Sequence, residues 1–388
     1  MMMNPSDGSS TLPAGHGAIR MTTIDPPTRA EEECGPVGQQ ISFPVLRFSY
    51  PLKLIVSRPY RNDLHKLQVG LVYLLNYGGG LLSGDRLNLE IQVDDKCQLL
   101  CLSQGSTKVF KEKVKPTNRS SFPPNRDSLY PSSQSTTTAP TETSDVSRQN
   151  ITAKIGSNAT LLMLPSYVTC FRDSSFIQKQ IYHLQDHSSS LVCLDWFTSG
   201  RSLSTRLPDN QNQSNQLESW TFKKFQSFVE VFMSSKRIAR ENLILLKDQH
   251  HPTQDHFTIY ANLYLVCSSD NLKLVKTLDR LKEQDRSSNK TRRQQPRSSE
   301  KIEGEQQVDQ SQLLWCFSEL NHHPEPEISP STDPHLPDLH PPPLTRPSVR
   351  TVIIRIGSQS SILVRDWLEK NLADLQELIG PEFYRNCF

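Results

Sequence analysis

The sequence predicts an all-β fold, mainly strands, in a single domain with one small helical element. Three observations carry this expectation. Runs rich in β-branched, aromatic and leucine residues follow one another along the chain, punctuated by Gly, Asn, Asp and Pro. They do not alternate with helices in the way a parallel nucleotide-binding sheet requires. Only 35% of the 388 residues are hydrophobic and 27 are proline, so much of the length cannot join a core.

The most informative segment runs from Asn76 to Lys111. Gly78, Gly79 and Gly80 allow a sharp turn, and Gly84-Asp85 supplies a second. Leu87, Leu89, Ile91 and Val93 then alternate with Asn88, Glu90 and Gln92, the period of a half-buried strand. A turn at Asp94-Asp95-Lys96 leads into an apolar strand from Cys97 to Leu102, and a polar loop follows that ends in Lys108. Further strands are expected over residues 67–75, 107–111, 151–155, 160–164, 176–184, 191–197, 220–233, 257–266 and 350–356.

Two segments have helical spacing instead. Leu274, Val275, Leu278 and Leu281 follow Asp270 as a cap, and Val364, Leu368, Leu372, Leu375 and Ile379 share one face before Gly380-Pro381 stops the run. Residues 1–44 are expected to form a disordered tail. Within a domain over 45–388, the polar or Pro-rich stretches 115–150, 202–219, 282–312 and 322–347 are expected to be disordered insertions, which leaves roughly 230 residues for one fold.

Several function classes are excluded at this level. A net charge of +2 gives no electrostatic case for nucleic acid or an anionic membrane as the main partner. No apolar run reaches the roughly 20 residues of a membrane helix. The polar N-terminus lacks an apolar leader core, so the cytoplasm is the expected compartment. Eight cysteines without a Cys-x-x-Cys pair fit that reading, as small hydrophobes inside strands. The glycine run is no phosphate loop, because Gly84 is followed by Asp85 and a strand rather than by Lys-Ser/Thr and a helix. No nucleophile elbow or His-Glu-x-x-His helix is present, so no catalytic residues and no cofactor-binding residues are expected. Cys97 and Cys101 are four apart on a strand, about 13 Å, too far to share an ion. The paired histidines lie in polar loops without a supporting carboxylate or thiolate, which argues against a tight metal site. Two rival readings remain. One is a β-solenoid polysaccharide hydrolase, which needs clustered carboxylates and a secretion signal. The other is an RNA-associated scaffold using the basic loop TRRQQPR.

Four blocks, in order, are similar to one family. They are GGGLLSGDRLNLEIQV with the downstream SQGSTKVFK, then LMLPSYVTCFRDSSFIQKQI, then LDWFTSGR with Glu218-Ser219-Trp220, and finally RTVIIRIGSQSSILVRDWLEKNLADL. With these the chain resembles the urease accessory proteins of the UreD (UreH) family, in a form like the fungal and plant members. The resemblance implies a β-rich, β-helix-like fold and a non-enzymatic scaffold that works in nickel insertion into apo-urease. The implied partners are apo-urease, a helical UreF-like accessory protein and a UreG-like nickel-chaperone GTPase. No tightly bound cofactor is implied, only transient Ni2+ in a polar passage toward the enzyme. The motif positions carried over are Gly79, Gly80, Gly84, Gln104, Thr107, Lys108, Pro165, Gly200 and Arg201. Asp85, Asp195 and Glu218 become candidates for weak, transient contact with the ion. Leu217 stands where the family has a glycine before the glutamate, and Ser166-Tyr167 departs from the family after the Leu-Pro turn. The plainer alternative is that Asp85 caps its turn and Asp195 pairs with Lys108 or Arg201.

Overall fold

A computed structural model describes residues 12–24, 40–57, 69–113, 145–201, 218–247, 249, 256–294, 313–320 and 349–388. The chain forms two large sheets. The seven-stranded sheet runs, edge to edge, β15 (Lys236–Leu246), β14 (Lys224–Met233), β12 (Ser175–Leu184), β9 (Ser147–Ile155), β6 (Arg86–Val93), β1 (His16–Ile24) and β2 (Gln40–Phe48). The larger sheet runs β17 (Leu313–Leu320), β18 (Val349–Ser358), β16 (Ile259–Ser268), β13 (Ser190–Thr198), β10 (Thr160–Met163), β7 (Gln98–Ser103), β4 (Val69–Asn76) and β3 (Leu52–Val56). Three short strands, β5 (Gly80–Leu81), β8 (Thr107–Val109) and β11 (Val168–Cys170), join it at one corner.

The centre of the molecule is wound as a β-helix. The chain passes from β6 in the first sheet to β7 in the second, back to β9, across to β10, back to β12 and across to β13. Within each sheet the successive strands are parallel: β6 with β9, β9 with β12, β7 with β10 and β10 with β13. Parallel pairing is thus reached without crossover helices, because each return path is itself a strand of the other sheet. The turn at Asp94-Asp95-Lys96 is accordingly a corner of the coil and not a hairpin.

Burial follows from this winding. Alternate residues Leu87, Leu89, Ile91 and Val93 of β6 face the space between the sheets, where they meet Leu99, Cys101, Leu161 and Tyr182. The other face of the larger sheet is covered by α1 (Leu272–Gln294) and by α2 (Ser361–Asn371), so Val192, Leu194 and Trp196 pack with Leu274, Leu278, Val364 and Leu368. Strand β13 lies between both layers and is buried at every position, which is why its sequence is nearly continuous in apolar residues.

Several expectations need correcting. The tail expected over residues 1–44 contributes β1, an interior strand hydrogen-bonded to both β2 and β6, with Ile19 and Met21 buried. Its alternation is short and its turn glycine, Gly15, is easily read as part of a linker. The insertion expected over 115–150 ends earlier, because Ser147–Ile155 is strand, and the one expected over 282–312 begins later, because α1 continues to Gln294. The cap of α1 is Asn271, whose Oδ1 accepts from the Leu274 amide at 3.3 Å, rather than Asp270. The helical run ending at Ile379 breaks after Asn371 into a 3-10 turn and a short helix, α3 (Gln376–Ile379). Residues 114–144, 202–217, 295–312 and 321–348 lie outside the described residues, as do the first eleven.

Candidate functional site

The corner of the β-helix is assembled almost entirely from the residues singled out in the sequence. Gly78 and Gly79 both take positive φ (77° and 74°), so the chain turns back at Asn76 and delivers Gly80-Leu81 as β5. Gly80 lies against Lys108, where a Cβ would stand 2.3 Å from the Lys108 carbonyl oxygen, so only glycine fits that approach. From there the pairing steps across the corner: Gly80 with Lys108, Lys108 with Thr169, and Thr169 with Thr198. The Thr198 hydroxyl donates to Thr169 Oγ1 at 3.0 Å. Gln104 is exposed on the turn before Thr107, and Pro165 offers its carbonyl to Trp196 Nε1 at 2.8 Å.

Beyond Thr198 the chain runs through Gly200 to Arg201. The Arg201 guanidinium donates from Nε to Glu218 Oε2 at 2.7 Å, with a second bond from Nη2 to Oε1, and lies 4.4 Å above the Phe171 ring. This pairing holds the Glu218 carboxyl below the usual carboxylate range. Asp85 sits beside the corner at the head of β6. Its Oδ2 accepts from the Leu82 amide at 2.8 Å, so it caps the turn, and Gly84 donates its amide to the Asp145 carbonyl.

Asp195 is placed differently. It faces the space between the sheets and is 6% exposed. Gln178 Nε2 donates to it at 2.9 Å from β12 and Ser227 Oγ at 2.5 Å from β14. Neither Lys108 nor Arg201 is among these partners. Lys108 is exposed on the corner and Arg201 is engaged by Glu218, whereas Asp195 lies on the inner face of β13. Burial pushes the Asp195 carboxyl up to about 6; the two hydrogen bonds oppose that shift and Glu241 adds to it.

Sequence reasoning missed the environment of Asp195. Gln180 accepts from the Tyr182 hydroxyl at 2.7 Å, and Cys193 lies 3.2 Å from that hydroxyl. Tyr264 is 2% exposed and its hydroxyl has no hydrogen-bond partner. Glu241 and Arg355 form an ion pair at 2.7 Å between the edge strand β15 and β18. Together these side chains make a polar seam between the sheets. A signal was available, because Gln178, Gln180 and Tyr182 occupy every second position of β12 and therefore share one face. Phe197 separates this seam from the corner: it follows Asp195 on the same face and stacks on Phe225 at 4.1 Å and on Tyr260 at 5.7 Å.

The chemistry open to these groups is limited. Burial pushes the Cys101 and Cys170 thiols up to about 12, so they remain protonated and are poor metal ligands. Among the described residues, no three His, Cys, Asp or Glu side chains converge on a point that would hold a metal. The Arg201 side chain is 46% exposed and that of Glu218 11%, so their ion pair is worth little in stability. Replacing Glu218 with Gln is expected to cost less than about 1 kcal/mol in chemical denaturation.

A family model described as the UreD urease accessory protein matches residues 39–321, which takes in the β-helix and its corner. The chain belongs to the UreD family. A urease accessory protein D of Arabidopsis thaliana is 25% identical over 336 residues, covering 86% of this chain and 92% of that protein. Urease accessory protein 4 of Cryptococcus neoformans var. grubii is 33% identical over 198 residues, 51% of this chain and 54% of its own length. A Schizosaccharomyces pombe protein called ureD-like is 30% identical over 224 residues, 56% of this chain and 63% of its own. The aligned region thus spans about half to two thirds of the two fungal relatives. Membership of the family agrees with the resemblance carried by the four motif blocks, and the mainly β fold agrees with the strand pattern. No helix among the described residues is long and apolar enough to cross a membrane.

Proposed function

We propose that this protein is a non-enzymatic scaffold of urease maturation, acting in the cytoplasm where nickel is inserted into apo-urease. The observation that carries the reading is the family match over residues 39–321, together with relatives named as urease accessory proteins. In this reading the chain binds apo-urease, a helical UreF-like accessory protein and a UreG-like GTPase, and GTP hydrolysis belongs to the GTPase. Nickel is cargo, held weakly and released. Asp85 and Glu218 would meet the ion at the corner, and Asp195 within the seam. Carboxylates and hydroxyls suit such transit, because hard oxygen ligands in an incomplete shell bind a borderline ion weakly.

The test is genetic and analytical. Deleting the gene in its own host is expected to leave urease protein present, with its nickel content and activity reduced at least tenfold, read by metal analysis of the purified enzyme. Reintroducing Asp85→Ala, Asp195→Ala and Glu218→Ala separately asks which acids matter. Fully nickel-loaded urease in the deletion strain would overturn the proposal, and full loading with all three variants would overturn the role of the acids.

A further inference from the structure

The two sheets do not match strand for strand. The main path of the larger sheet holds eight strands and the other sheet seven. At one end β1 and β2 both meet β3. In the middle Gln178 of β12 and Ser227 of β14 reach Asp195 of β13, and at the far end Glu241 ties β15 to Arg355 of β18. The strand left without a counterpart is β17. Leu313, Trp315 and Phe317 of β17 pack into the helical layer. Leu314 and Cys316 alternate with them, so they face the place where an eighth strand beside β15 would lie. Leu320, on that same face, packs against the core between the sheets. Leu314 is 39% exposed and Cys316 is an exposed thiol. Among the described residues β15 and β17 are both edge strands, each paired with one neighbour. Native edges are commonly blunted by charge, proline or a bulge. Lys236, Arg237 and Arg240, with a bulge opposite Phe232, guard one half of β15, whereas residues 243–246 and 313–317 carry no such guard.

A second copy of the chain fills both places at once. Successive passes of the β-helix run in opposite directions in the two sheets, so β12 opposes β13. The pairings outward from these two strands then make β15 and β17 run in opposite directions. A two-fold axis parallel to the strands, between β17 and its copy, preserves strand direction. Around it β15 pairs antiparallel with β17 of the second copy, and β17 with β15 of the second copy. Each seven-stranded sheet runs on into the larger sheet of the other copy, and every strand gains one opposite. Register follows from the same axis. Glu241 bonds Arg355, and Arg355 pairs with Cys316, so Glu241 and Cys316 stand at one level. The axis keeps that level and sets Glu241 beside Cys316 of the second copy. Leu243 then meets Leu314, both inward, and Ile244, 46% exposed, meets Leu313, both outward. The symmetry does not impose this match of faces, and a slip of one residue would destroy it. Joining β15 to β15 instead would bring the two β18 strands to about 5 Å, while the two β17 strands between them need about 14 Å.

We propose that this chain forms a two-fold dimer in which β15 of each copy pairs with β17 of the other. The contact is isologous and closed, so it ends at two copies. It goes beyond the urease reading and does not depend on it. None of the strands that build the corner takes part in the join. Eight residues of strand span about 26 Å, and two sheets with their side chains about 20 Å, so each copy covers about 500 Å². The total of about 1,000 Å² is the lower bound for a specific interface, so the dimer forms at micromolar rather than nanomolar concentration.

Sedimentation of the full chain from about 1 to about 100 µM is expected to show a monomer–dimer equilibrium. Cys316 faces its copy across the join with the Cα atoms about 10 Å apart, too far for a disulfide but within reach of a short bismaleimide. That reagent should link the dimer through Cys316, read by peptide mass spectrometry, and should fail with Cys316→Ser. Two variants test the join from either side. Ile244→Pro costs no bond to β14: the Lys247 amide donates to the Lys223 carbonyl, and the alternation of the ladder turns the Ile244 amide to the open edge. Leu314→Lys sets two ammonium groups against each other at the axis and leaves both backbones alone. Each should raise the dimer dissociation constant at least tenfold, with the melting temperature of the dilute monomer unchanged. A wild type still monomeric at about 100 µM overturns the proposal. So does a dimer that either folded variant leaves intact, or one linked only through other residues. If Cys316 resists maleimide in the dilute monomer, another part of the chain covers this edge. If it is protected only on adding purified apo-urease, the edge belongs to that enzyme. Either result also overturns the dimer.

Discussion

Replacing Asp195 with asparagine is expected to stabilise the fold at pH 7.5 by about 2 kcal/mol, although the residue makes two good hydrogen bonds. The carboxyl is fully enclosed between the sheets and its pKa is pushed up to about 6, against an ordinary value near 4. Between about pH 4 and pH 6 the unfolded chain ionises this group while the folded chain keeps it neutral. The unfolded state therefore holds fewer protons in that window, and stability falls as pH rises, by about 1.4 kcal/mol per unit. Above the folded pKa the loss is complete, at about 3 kcal/mol. Asparagine removes that term but offers an amide where Gln178 or Ser227 now donates, which returns about 1 kcal/mol. Near pH 4, where Asp195 is neutral in the folded chain and only about half ionised in the unfolded one, the advantage should vanish. Urea denaturation of both proteins from pH 4 to pH 8 measures this, and parallel pH profiles would sink it. If the variant is more stable yet supports less nickel loading, the charge is kept for function at a cost in stability.

Gly200→Ala is expected to act in the opposite direction, costing about 3 kcal/mol. A Cβ at this position would lie 1.8 Å from the backbone carbonyl oxygen of Glu218, which no rotamer change can relieve. The two strands of chain would have to part by more than about 1 Å to reach van der Waals distance. That movement pulls on the Trp220 amide, which donates to the Ser199 carbonyl at 2.8 Å, and on the Arg201–Glu218 pair. Gly79→Ala is the comparison. It has a positive φ of 74° but nothing within 4 Å of a Cβ, so its cost is conformational alone, about 1 to 2 kcal/mol. Thermal unfolding of the two variants separates steric collision from backbone preference. Equal costs would mean that the corner yields to the alanine.

The strands of the β-helix were legible because their inward faces obey a strict period. Leu87 to Val93 and Phe176 to Leu184 are examples, each turning alternate residues into the core. Strand β1 was not legible, since it holds its place by pairing with β6 across some seventy intervening residues, a partnership that local alternation does not announce. The corner was half legible. Its glycines and the Gly80, Lys108 and Gly200 positions were found as motif residues, but that they pair through Thr169 and Thr198 depends on stacking of successive coils.

By itself, the sequence determined the mainly β class, because periodicity and turn chemistry are local properties of the chain, while the family and the candidate acids came from the resemblance its motif blocks carry. What Asp85, Asp195 and Glu218 do there was decided by tertiary structure. Asp85 caps a turn, Glu218 pairs with Arg201, and Asp195 is enclosed with Gln178 and Ser227. The physical reason is that the ionisation of a carboxylate depends on its surroundings. Those surroundings are supplied by residues distant in sequence that winding brings to the same face.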